Sequence, residues 1–271
     1  MSNKIILLGS DPELFTKNLA TGNIGSVAGM LGCDKWNKKV MEDGLNIQED
    51  NVLIEFDIKP HGAFDTFTLD LARGIETCNL LANEVGHEVV PGICSHIYTM
   101  DEIKSFHKSA LVFGCEPDYN ALTGAVNPKP AAADPGLRTA GGHVHIGYMD
   151  MLPAGMDPEQ SKNIMGVMCD YHMGLLSLLL DTDDRRRELY GKAGAVRLKD
   201  YGIEYRTLSN FWIFKEDTKK LIWDRAHQAV ASLEGEWERL TATIDPFEVQ
   251  RVINENDKRA AEAHLKKLGL H

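Results

Sequence analysis

The sequence predicts an α+β protein with a mostly antiparallel sheet and helices on one face. Three observations support this class. Strand-like segments dominate the first half of the chain, amphipathic helices dominate the second half, and the regular strand–helix alternation of a parallel sheet is missing. No repeat or long polar linker interrupts the 271 residues, so we expect one domain over residues 1–271.

Short apolar stretches bounded by turn residues are the predicted strands. They are Lys4–Leu8, Asn51–Ile58, Ala110–Phe113, His143–Tyr148 and Gly202–Leu208. Because a strand sends residues i and i+2 to the same face, these stretches also predict which side chains lie together.

Apolar residues at helical spacing predict the helices. Thr66–Val85 and Asp101–Lys108 lie in the first half. In the second half, Asp157 has the form of an N-cap followed by proline at the first helical position. Two amphipathic helices are expected over 215–240 and 246–268.

Composition disfavours several classes of protein. The formal net charge of −11 argues against a nucleic-acid surface, which needs cations to neutralise phosphates. No purely apolar run approaches the ~20 residues of a membrane span, and the N-terminal apolar run is too short for a signal peptide, so we expect a cytoplasmic protein. The five cysteines contain no C-x-x-C pair, which indicates neither a zinc knot nor a disulfide framework.

Polar side chains recur at two-residue spacing along or just after the predicted strands, so that they share one face. These residues are Asp11, Glu13, Glu55, His143, His145, Glu204 and Arg206. A carboxylate in the middle of a strand is costly unless it is paired or binds a metal. Carboxylates with imidazole suit a hard divalent cation, Mg²⁺ or else Mn²⁺, and such ions normally accompany phosphate.

Each of these residues also has a structural interpretation. The two acids after the first strand suit a helix N-terminus, the acid in the second strand suits an exposed face, and the histidines suit a solvated sheet face. Glu204 and Arg206 suit a cross-strand salt bridge. Glycines at 141, 142 and 147 indicate close approach of the backbone to another group.

A cluster of cations lies between residues 185 and 197, around a glycine-containing loop. Its candidate phosphate-binding members are Arg186, Arg187, Lys192 and Arg197. An arginine-rich helix C-terminus is the structural alternative. The P-loop, G-x-G-x-x-G and G-x-S-x-G motifs are missing, so the sequence supports neither a P-loop nor a Rossmann phosphate site.

The same residues fall in motifs that occur in a fixed order. They are Gly-Ser-Asp-Pro-Glu at 9–13, Asn-Val-Leu-Ile-Glu-Phe at 51–56, Gly-Cys-Glu-Pro-Asp-Tyr-Asn-Ala at 114–121, Arg-Thr-Ala-Gly-Gly-His-Val-His-Ile-Gly at 138–147, Tyr-Gly-Lys-Ala-Gly at 190–194 and Tyr-Gly-Ile-Glu-Tyr-Arg-Thr-Leu-Ser-Asn-Phe-Trp at 201–212. This set resembles the phage-encoded carboxylate–amine ligases called COOH-NH2 ligase type 2, the kind seen in phiEco32-like phages. The resemblance runs from residue 9 to 212 and leaves the C-terminal helices uncovered.

That family is grouped with glutamine synthetase and glutamate–cysteine ligase. The resemblance therefore implies their catalytic-domain fold and an ATP-dependent enzyme that joins a carboxylate to an amine through an acyl phosphate, releasing ADP. It implies small-molecule or peptide carboxylates and amines as substrates, Mg²⁺ as cofactor, and the cytoplasm of a phage-infected bacterium as the location.

The resemblance also implies roles for individual residues. Glu13, Glu55 and Glu204 would bind metal, with Asp11 in support. His143, His145 or both would contact a metal or phosphate, and Arg206 would hold the transferred phosphoryl group or the substrate carboxylate. Phosphate contacts are expected from Arg138, Arg186, Arg187, Lys192 and Arg197, and amine contacts from Asp118 and Asn120. Glu116 departs from the aspartate expected in its motif, which leaves the role of that loop open.

Two other functions fit the same residues. A metal-dependent hydrolase would use the carboxylates and histidines to activate water and would turn over without nucleotide, although the arginine-rich loop speaks against it. A non-catalytic phage protein would retain the fold, and its partner binding would survive Glu55→Ala and Glu204→Ala. The identities of the substrates and the oligomeric state are left open by the sequence.

Overall fold

The computed structural model describes residues 5–41, 44–111, 118–128 and 134–271. The strands are β1 (Leu7–Ser10), β2 (Glu13–Leu14), β3 (Thr16–Asn18), β4 (Ile24–Gly25), β5 (Lys39–Val40), β6 (Asn46–Asp50), β7 (Leu53–Asp57), β8 (His87–Val89), β9 (Ser95–Ile97), β10 (Tyr119–Asn120), β11 (Leu137–Thr139), β12 (Val144–Gly147), β13 (Ala195–Lys199) and β14 (Gly202–Tyr205). The helices are α1 (Phe64–Glu84), α2 (Met100–Ser105), α3 (Pro158–Cys169), α4 (Leu175–Leu180), α5 (Arg186–Leu189), α6 (Glu216–Ala231), α7 (Glu236–Thr243), α8 (Pro246–Asn254) and α9 (Lys258–Leu268).

The strands pair in two larger and two smaller sheets. The first sheet has the order β1-β12-β14-β13-β10, and the second has the order β2-β7-β6-β5. The smaller sheets are β4-β3-β8 and β11-β9. Every strand pair among the described residues is antiparallel, so the predicted α+β class is confirmed, with the strands divided among several sheets.

Side chains alternate across the first sheet as the sequence predicts. Val144 and Ile146 of β12 and Ile203 of β14 point into the core, and α3 packs against β13 and β14. The opposite face carries His145 and Glu204, which are directly opposite each other on neighbouring strands. Helices therefore cover one face and leave the polar face open.

The longest helical stretch, residues 158–180, joins α3 and α4 through a π-helical turn at Asp170–Gly174. It begins as predicted, with the Asp157 side chain accepting a hydrogen bond from Gln160 N at 2.8 Å. By length and composition this stretch could cross a membrane, but 72% of its apolar window is buried inside the protein. Such burial is typical of a core helix.

Several predicted elements differ from the structure. Lys108–Leu111 is a 3₁₀ helix where a strand over Ala110–Phe113 was predicted, and residues 112–113 lie outside the described residues, as does Lys4. The two predicted tail helices are each interrupted. Gly235 has φ +109° between α6 and α7, and Asn256 has φ +54° between α8 and α9, a left-handed conformation that a continuous helix excludes.

Candidate active site

A cavity of about 530 Å³ is lined by residues of both larger sheets. Of the residues predicted from the sequence, it gathers Asp11, Glu13, Glu55, His143, His145, Arg197, Glu204 and Arg206. Residues that are far apart in the chain, between positions 11 and 206, thus line one space. The predicted common polar face therefore exists, although it is built from two sheets.

The first wall is a cross-strand row in the first sheet. Gly9 of β1 is opposite His145 of β12, His145 is opposite Glu204 of β14, and Glu204 is opposite Arg197 of β13. Because opposite residues in antiparallel strands point to the same side, the row presents its side chains together. Lys199 lies two residues after Arg197 and also lines the cavity.

The second wall is a row in the second sheet. Glu13 of β2 is opposite Glu55 of β7, and Glu55 is opposite Gln48 of β6. Asp50 and Asp57 each lie two residues further along β6 and β7 and line the same cavity. This wall therefore brings four carboxylates together on adjacent strands.

Asp11 lies where the chain passes from the first sheet to the second, in the link between β1 and β2. Its Oδ1 atom is 3.2 Å from His143 Nδ1 and 3.2 Å from His145 Nε2, but no described donor meets it with hydrogen-bond geometry. Burial would raise the pKa of Asp11, yet the two imidazoles outweigh it and hold that pKa well below its ordinary value. Because Glu13 starts a strand, the helix N-terminus interpretation of these acids is wrong.

Glu204 is surrounded by cations. Its Oε1 atom accepts from Arg197 Nη1 at 3.3 Å and from Arg206 Nη1, and its Oε2 atom is 3.2 Å from Lys199 Nζ. Burial and Asp11 would raise the pKa of this carboxyl, but Arg206 and the imidazoles lower it to about 2. Glu204 is therefore a carboxylate at neutral pH. Its ion pair with Arg206 joins two residues of the same segment, whereas its ion pair with Arg197, directly opposite on β13, is a cross-strand salt bridge.

On the second wall the balance of charge is opposite. No Lys or Arg in the described part of the chain forms an ion pair with Glu13, Asp50 or Glu55. Burial, together with the neighbouring acids, raises the pKa of Glu55 well above its ordinary value. Burial and Glu13 raise the pKa of Asp50 to about 7. Carboxylates in this state favour a bound proton or a bound cation.

His143 is fully enclosed in this arrangement. Its Nε2 atom lies 3.3 Å from Arg186 Nη2, and its Nδ1 atom lies 3.2 Å from both Arg206 Nη1 and Asp11 Oδ1, so an arginine donor faces each ring nitrogen. Burial, and the charge of Arg206, lower the pKa of this imidazole. His143 is therefore neutral at neutral pH and packs between Asp11 and the two arginines.

His145 lies nearer the opening and behaves differently. Its Nδ1 atom is 2.6 Å from the Tyr201 hydroxyl, and its Nε2 atom faces Asp11. Burial would lower the pKa of His145, but Asp11 outweighs it and raises the pKa above the ordinary value. The imidazole therefore bridges a phenol at the rim and a carboxylate at the centre.

In the part of the chain that the structure describes, three groups of side chains bring ligand atoms within 4.8 Å of one another: Asp11, His145 and Glu204; Asp11, Glu55 and Asp57; and Glu13, Asp50 and Glu55. Carboxylate oxygens with at most one imidazole are the donors that Mg²⁺ and Mn²⁺ prefer. The buried Glu55, which has no cationic partner among the described residues, is shared by two of the groups. The donor set therefore fits a hard divalent cation.

Several predicted phosphate-binding residues lie away from the cavity lining. Arg138 is buried and donates to Asn51 Oδ1 and to the carbonyls of Pro135, Leu137 and Ala110. Arg187 is buried and donates to Ser177 Oγ at 3.2 Å. Both guanidinium groups are used within the fold, which is the physical reason that they do not reach the cavity.

The remaining predicted contacts are mixed. Arg186 lies behind His143, and Lys192 is exposed outside the cavity lining. Asn120 is bonded to Gln250 and to a backbone carbonyl, whereas Asp118 Oδ2 lies 3.6 Å from Arg206 Nε. Of Asn120 and Asp118, only Asp118 lies beside a residue that lines the cavity, namely Arg206. Glu116 and Cys115 lie outside the described residues.

The cavity also contains residues that sequence reasoning did not select. They are Lys35, Trp36, Lys38, Gln48, Asp50, Asp57, Lys199 and Tyr201. Two-residue spacing from Glu55 and from Arg197 is the signal that points to Asp57 and Lys199. No comparable signal marks Asp50 or Lys38, because they reach the cavity through a hairpin and a loop that were not predicted.

The paired glycines before His143 pack against the protein itself. A Cβ atom on Gly142 would lie 2.6 Å from the Ser209 carbonyl oxygen, and one on Gly141 would lie 2.4 Å from His143 Nε2. Close backbone approach was predicted at this position and is confirmed. Its role is to seat His143 against the segment after β14.

Comparison with known proteins bears on the same region. Residues 136–265 match the family model of the phage phiEco32-like COOH.NH2 ligase-type 2. The match confirms the resemblance. It includes His143, His145, Glu204 and Arg206, and it extends into the C-terminal helices that the sequence motifs did not reach. Asp11, Glu13 and Glu55 lie before its first residue. Among the curated proteins, none matches this sequence.

Solved structures share the path of the chain only distantly. Apo GmaS without ligand has 11% identity and a TM-score of 0.44, with 98% of this chain and 65% of that chain covered. A bifunctional glutathione synthetase from Pasteurella multocida has 11% identity and a TM-score of 0.45, with 98% and 50% covered. A novel glutamine synthase homolog has 11% identity and a TM-score of 0.37, with 98% and 71% covered. The chain spans about half to two thirds of the first two proteins, and these likenesses assign no function.

Proposed function

We propose that the protein is an ATP-dependent carboxylate–amine ligase that forms an amide or peptide bond through an acyl phosphate. The observation that carries the proposal is the division of one cavity into two charged walls. One wall presents Glu13, Asp50 and Glu55, which form no ion pair with Lys or Arg among the described residues, and the other presents Arg197, Lys199 and Arg206. A phosphate substrate that arrives with a divalent cation complements both walls. The match to a carboxylate–amine ligase family supports the same reading.

The proposed reaction has two steps. The carboxylate attacks the γ-phosphorus of ATP, which forms an acyl phosphate and releases ADP. The amine then attacks the acyl carbon, and inorganic phosphate and a proton leave as the amide forms. Because ATP activates the carboxylate by phosphorylating it, the work of the protein is mainly to position the reactants and to offset their charge.

We propose Mg²⁺, with Mn²⁺ as the alternative, held by Glu13, Asp50 and Glu55, with Asp11 and Glu204 close by. A divalent ion in this position would offset the charge of the transferred phosphoryl group. The donor chemistry and the raised pKa values of Asp50 and Glu55 support this assignment. The substrates are small-molecule or peptide carboxylates and amines.

The cationic wall would orient the anionic reactants. Arg206 is buried beside Glu204, which raises its pKa against the effect of burial, so its guanidinium carries a permanent charge. Arg197 and Lys199 lie on the adjacent strand and face the same space. His143 lies between Asp11 and the guanidinium groups of Arg186 and Arg206, and His145 lies between Asp11 and Tyr201 at the opening.

The test is an activity assay with the full chain, Mg²⁺-ATP and panels of carboxylates and amines. We expect ADP and phosphate in equal amounts, and only when both a carboxylate and an amine are present. Release of AMP and pyrophosphate would contradict the acyl-phosphate route. Turnover of amides without nucleotide would instead support the hydrolase.

A further inference from the structure

The segment Asp34–Lys38 lies at the edge of the cavity and contributes Lys35, Trp36 and Lys38 to its lining. Asp34 fixes the turn, because its Oδ1 atom accepts from Trp36 N at 2.8 Å and from Asn37 N at 2.9 Å. The turn therefore presents these side chains in a defined arrangement. Trp36 is 81% exposed.

Lys38 reaches from this turn to the second wall. Its ammonium donates to Asp57 Oδ2, and the side chains of Lys38 and Asp57 are 31% and 27% exposed. Burial would lower the pKa of the Lys38 ammonium, but the hydrogen bond to Asp57 and the charges of Asp57, Glu55 and Asp11 raise it. The amine is therefore a cation at neutral pH.

Asp57 also belongs to one of the three groups of candidate metal ligands. Oxygen atoms of Asp11, Glu55 and Asp57 lie within 4.8 Å of one another. The Lys38 ammonium is thus a cation already bound to one member of a group that suits a divalent cation. A divalent ion placed beside Asp57 would meet the repulsion of this ammonium at short range.

The neighbouring group differs in this one respect. Glu13, Asp50 and Glu55 have no ion pair with Lys or Arg among the described residues, whereas the group with Asp57 has Lys38. The two groups share Glu55, so their ligand chemistry is otherwise alike. Of these two positions, one has no ion pair with Lys or Arg among the described residues, and the other has an ammonium bound to one of its ligands.

We propose that Lys38 is a built-in competitor of a divalent cation at the Asp11–Glu55–Asp57 position. A second ion binds there only when the ammonium leaves Asp57, and the Asp34–Lys38 turn moves with it. This inference rests on the divalent-ion site of the proposed function and adds a residue that sets how many ions the cavity holds. The exposed Trp36, two residues away, is placed to report the movement.

The experiment is a titration of the chelator-treated full chain with Mn²⁺ alone, with free Mn²⁺ measured by electron paramagnetic resonance. For the wild type we expect one stronger and one weaker binding constant. In Lys38→Met the weaker constant should tighten at least about tenfold, and Lys38→Gln should repeat the effect. Adding Asp57→Asn to Lys38→Met should remove the gain.

Lys39→Met is the matched control, because Lys39 is exposed on β5 and lies outside the cavity lining. Its Mn²⁺ constants should equal those of the wild type. With Mg²⁺, the weaker binding step in the wild type should also change the emission of Trp36, and Trp36→Phe should remove this signal.

An unchanged or weakened Mn²⁺ constant in both Lys38 variants overturns the proposal, and so does the lack of Mn²⁺ binding in all proteins. If the variants gain affinity but no carboxylate and amine yield ADP, the proposed function fails while the role of Lys38 stands. If the wild type forms amide but the Lys38 variants bind Mn²⁺ with the same constants as the wild type, the proposed function stands and the role of Lys38 fails.

Discussion

Glu55 is the residue at which burial and charge oppose each other most directly. It is 7% exposed, faces Glu13 across the strand pair, and accepts one hydrogen bond from Gln48 Nε2 at 2.7 Å. A buried carboxylate with acidic neighbours destabilises the fold unless a proton or a cation binds. Its position is therefore better explained by binding than by folding.

For Glu55→Gln we expect ligase activity to fall at least about 100-fold, since an electrostatic group of the site is removed. The metal-free protein should become more stable, because the amide accepts from Gln48 and carries no charge. Mn²⁺ binding and thermal unfolding measure the two effects. Glu88→Gln is the control, since Glu88 pairs with Lys17 on a half-exposed strand. Full activity in Glu55→Gln would exclude this residue from the site.

Trp36 offers a flat, exposed ring at the edge of the cavity, with Lys35 Nζ 4.6 Å from its centroid. Stacking of a base on such a ring contributes about 1–3 kcal/mol. We expect Trp36→Ala to raise the KM for ATP roughly 5-fold to 100-fold with little change in kcat, and Trp36→Phe to have a smaller effect. Val40→Ala, exposed nearby on β5, is the control. An unchanged KM would place the base elsewhere.

The π-helical turn between α3 and α4 places two titratable groups in the core. Asp170 Oδ1 accepts from Gly194 N at 3.0 Å and from the Tyr205 hydroxyl at 2.8 Å, and burial raises the pKa of Asp170 to about 7. Burial and Arg225 lower the pKa of His172, in the same turn, to about 4. Asp170 thus links the core helix to β14 and to the residue before β13, whereas His172 contacts Ser232 after α6.

The sign of the pH effect follows from these pKa values. A carboxyl group with a raised folded pKa contributes most at low pH and loses that contribution as the pH rises from about 4 to about 7. We expect Asp170→Asn to be more stable than the wild type at pH 8 by about 2–4 kcal/mol, and similar to it at pH 4. Urea unfolding at both pH values measures this. Asp150→Asn, at an exposed position, should follow the wild type, and a less stable Asp170→Asn at pH 8 would contradict the argument.

Arg138 connects β11 to the 3₁₀ helix at 108–111 and to Asn51. Removing it leaves buried carbonyl groups unpaired, at about 1–3 kcal/mol each. We expect Arg138→Met to lower the free energy of unfolding by about 2–4 kcal/mol while the KM for ATP of the folded protein stays the same. If Arg138→Met has normal stability but a raised KM for ATP, the result would support the phosphate contact that the motif predicted for Arg138.

Elements with strong local patterns were predictable. The helix at α1, the start of α3 and the alternation in β12 and β14 follow from spacing, capping and period alone. The strands β6 and β13 were not predicted although each pairs with the next strand through a short hairpin, because polar residues interrupt their apolar pattern. The arginines were ambiguous because a guanidinium group can donate to backbone carbonyls within the fold as well as to a phosphate.

Across the whole molecule, stability and metal binding are linked through the second wall. A ligand that binds only the folded state at 100 times its dissociation constant adds about 2.7 kcal/mol. Removing Mg²⁺ with a chelator should therefore lower the Tm by about 5–10 °C, and more at pH 8 than at pH 5.5, since the pKa of Asp50 is about 7. Scanning calorimetry measures this. In Glu55→Gln, most of this change in Tm on chelation should disappear. A wild-type Tm that is unchanged by the chelator would argue against the site.

The acidic residues behind the net charge of −11 are unevenly distributed over the molecule. Most of the acids are spread over the surface, but Asp11, Glu13, Asp50, Glu55, Asp57 and Glu204 line one cavity. The sequence predicted four of them from strand alternation and motif. The other two, Asp50 and Asp57, were placed by the pairing of β6 with β7.

The link Ser10–Pro12 has a consequence for how this chain can change in length. Ser10 O accepts from Ile58 N at 3.0 Å and Pro12 O accepts from Phe56 N at 3.3 Å, so the link is tied to β7 on its way between the sheets. One residue added or lost between Gly9 and Glu13 would reverse the side-chain alternation of one wall relative to the other. Exposed turns such as residues 20–22 carry no such restriction, so insertions and deletions in this protein should accumulate there and be excluded from the link.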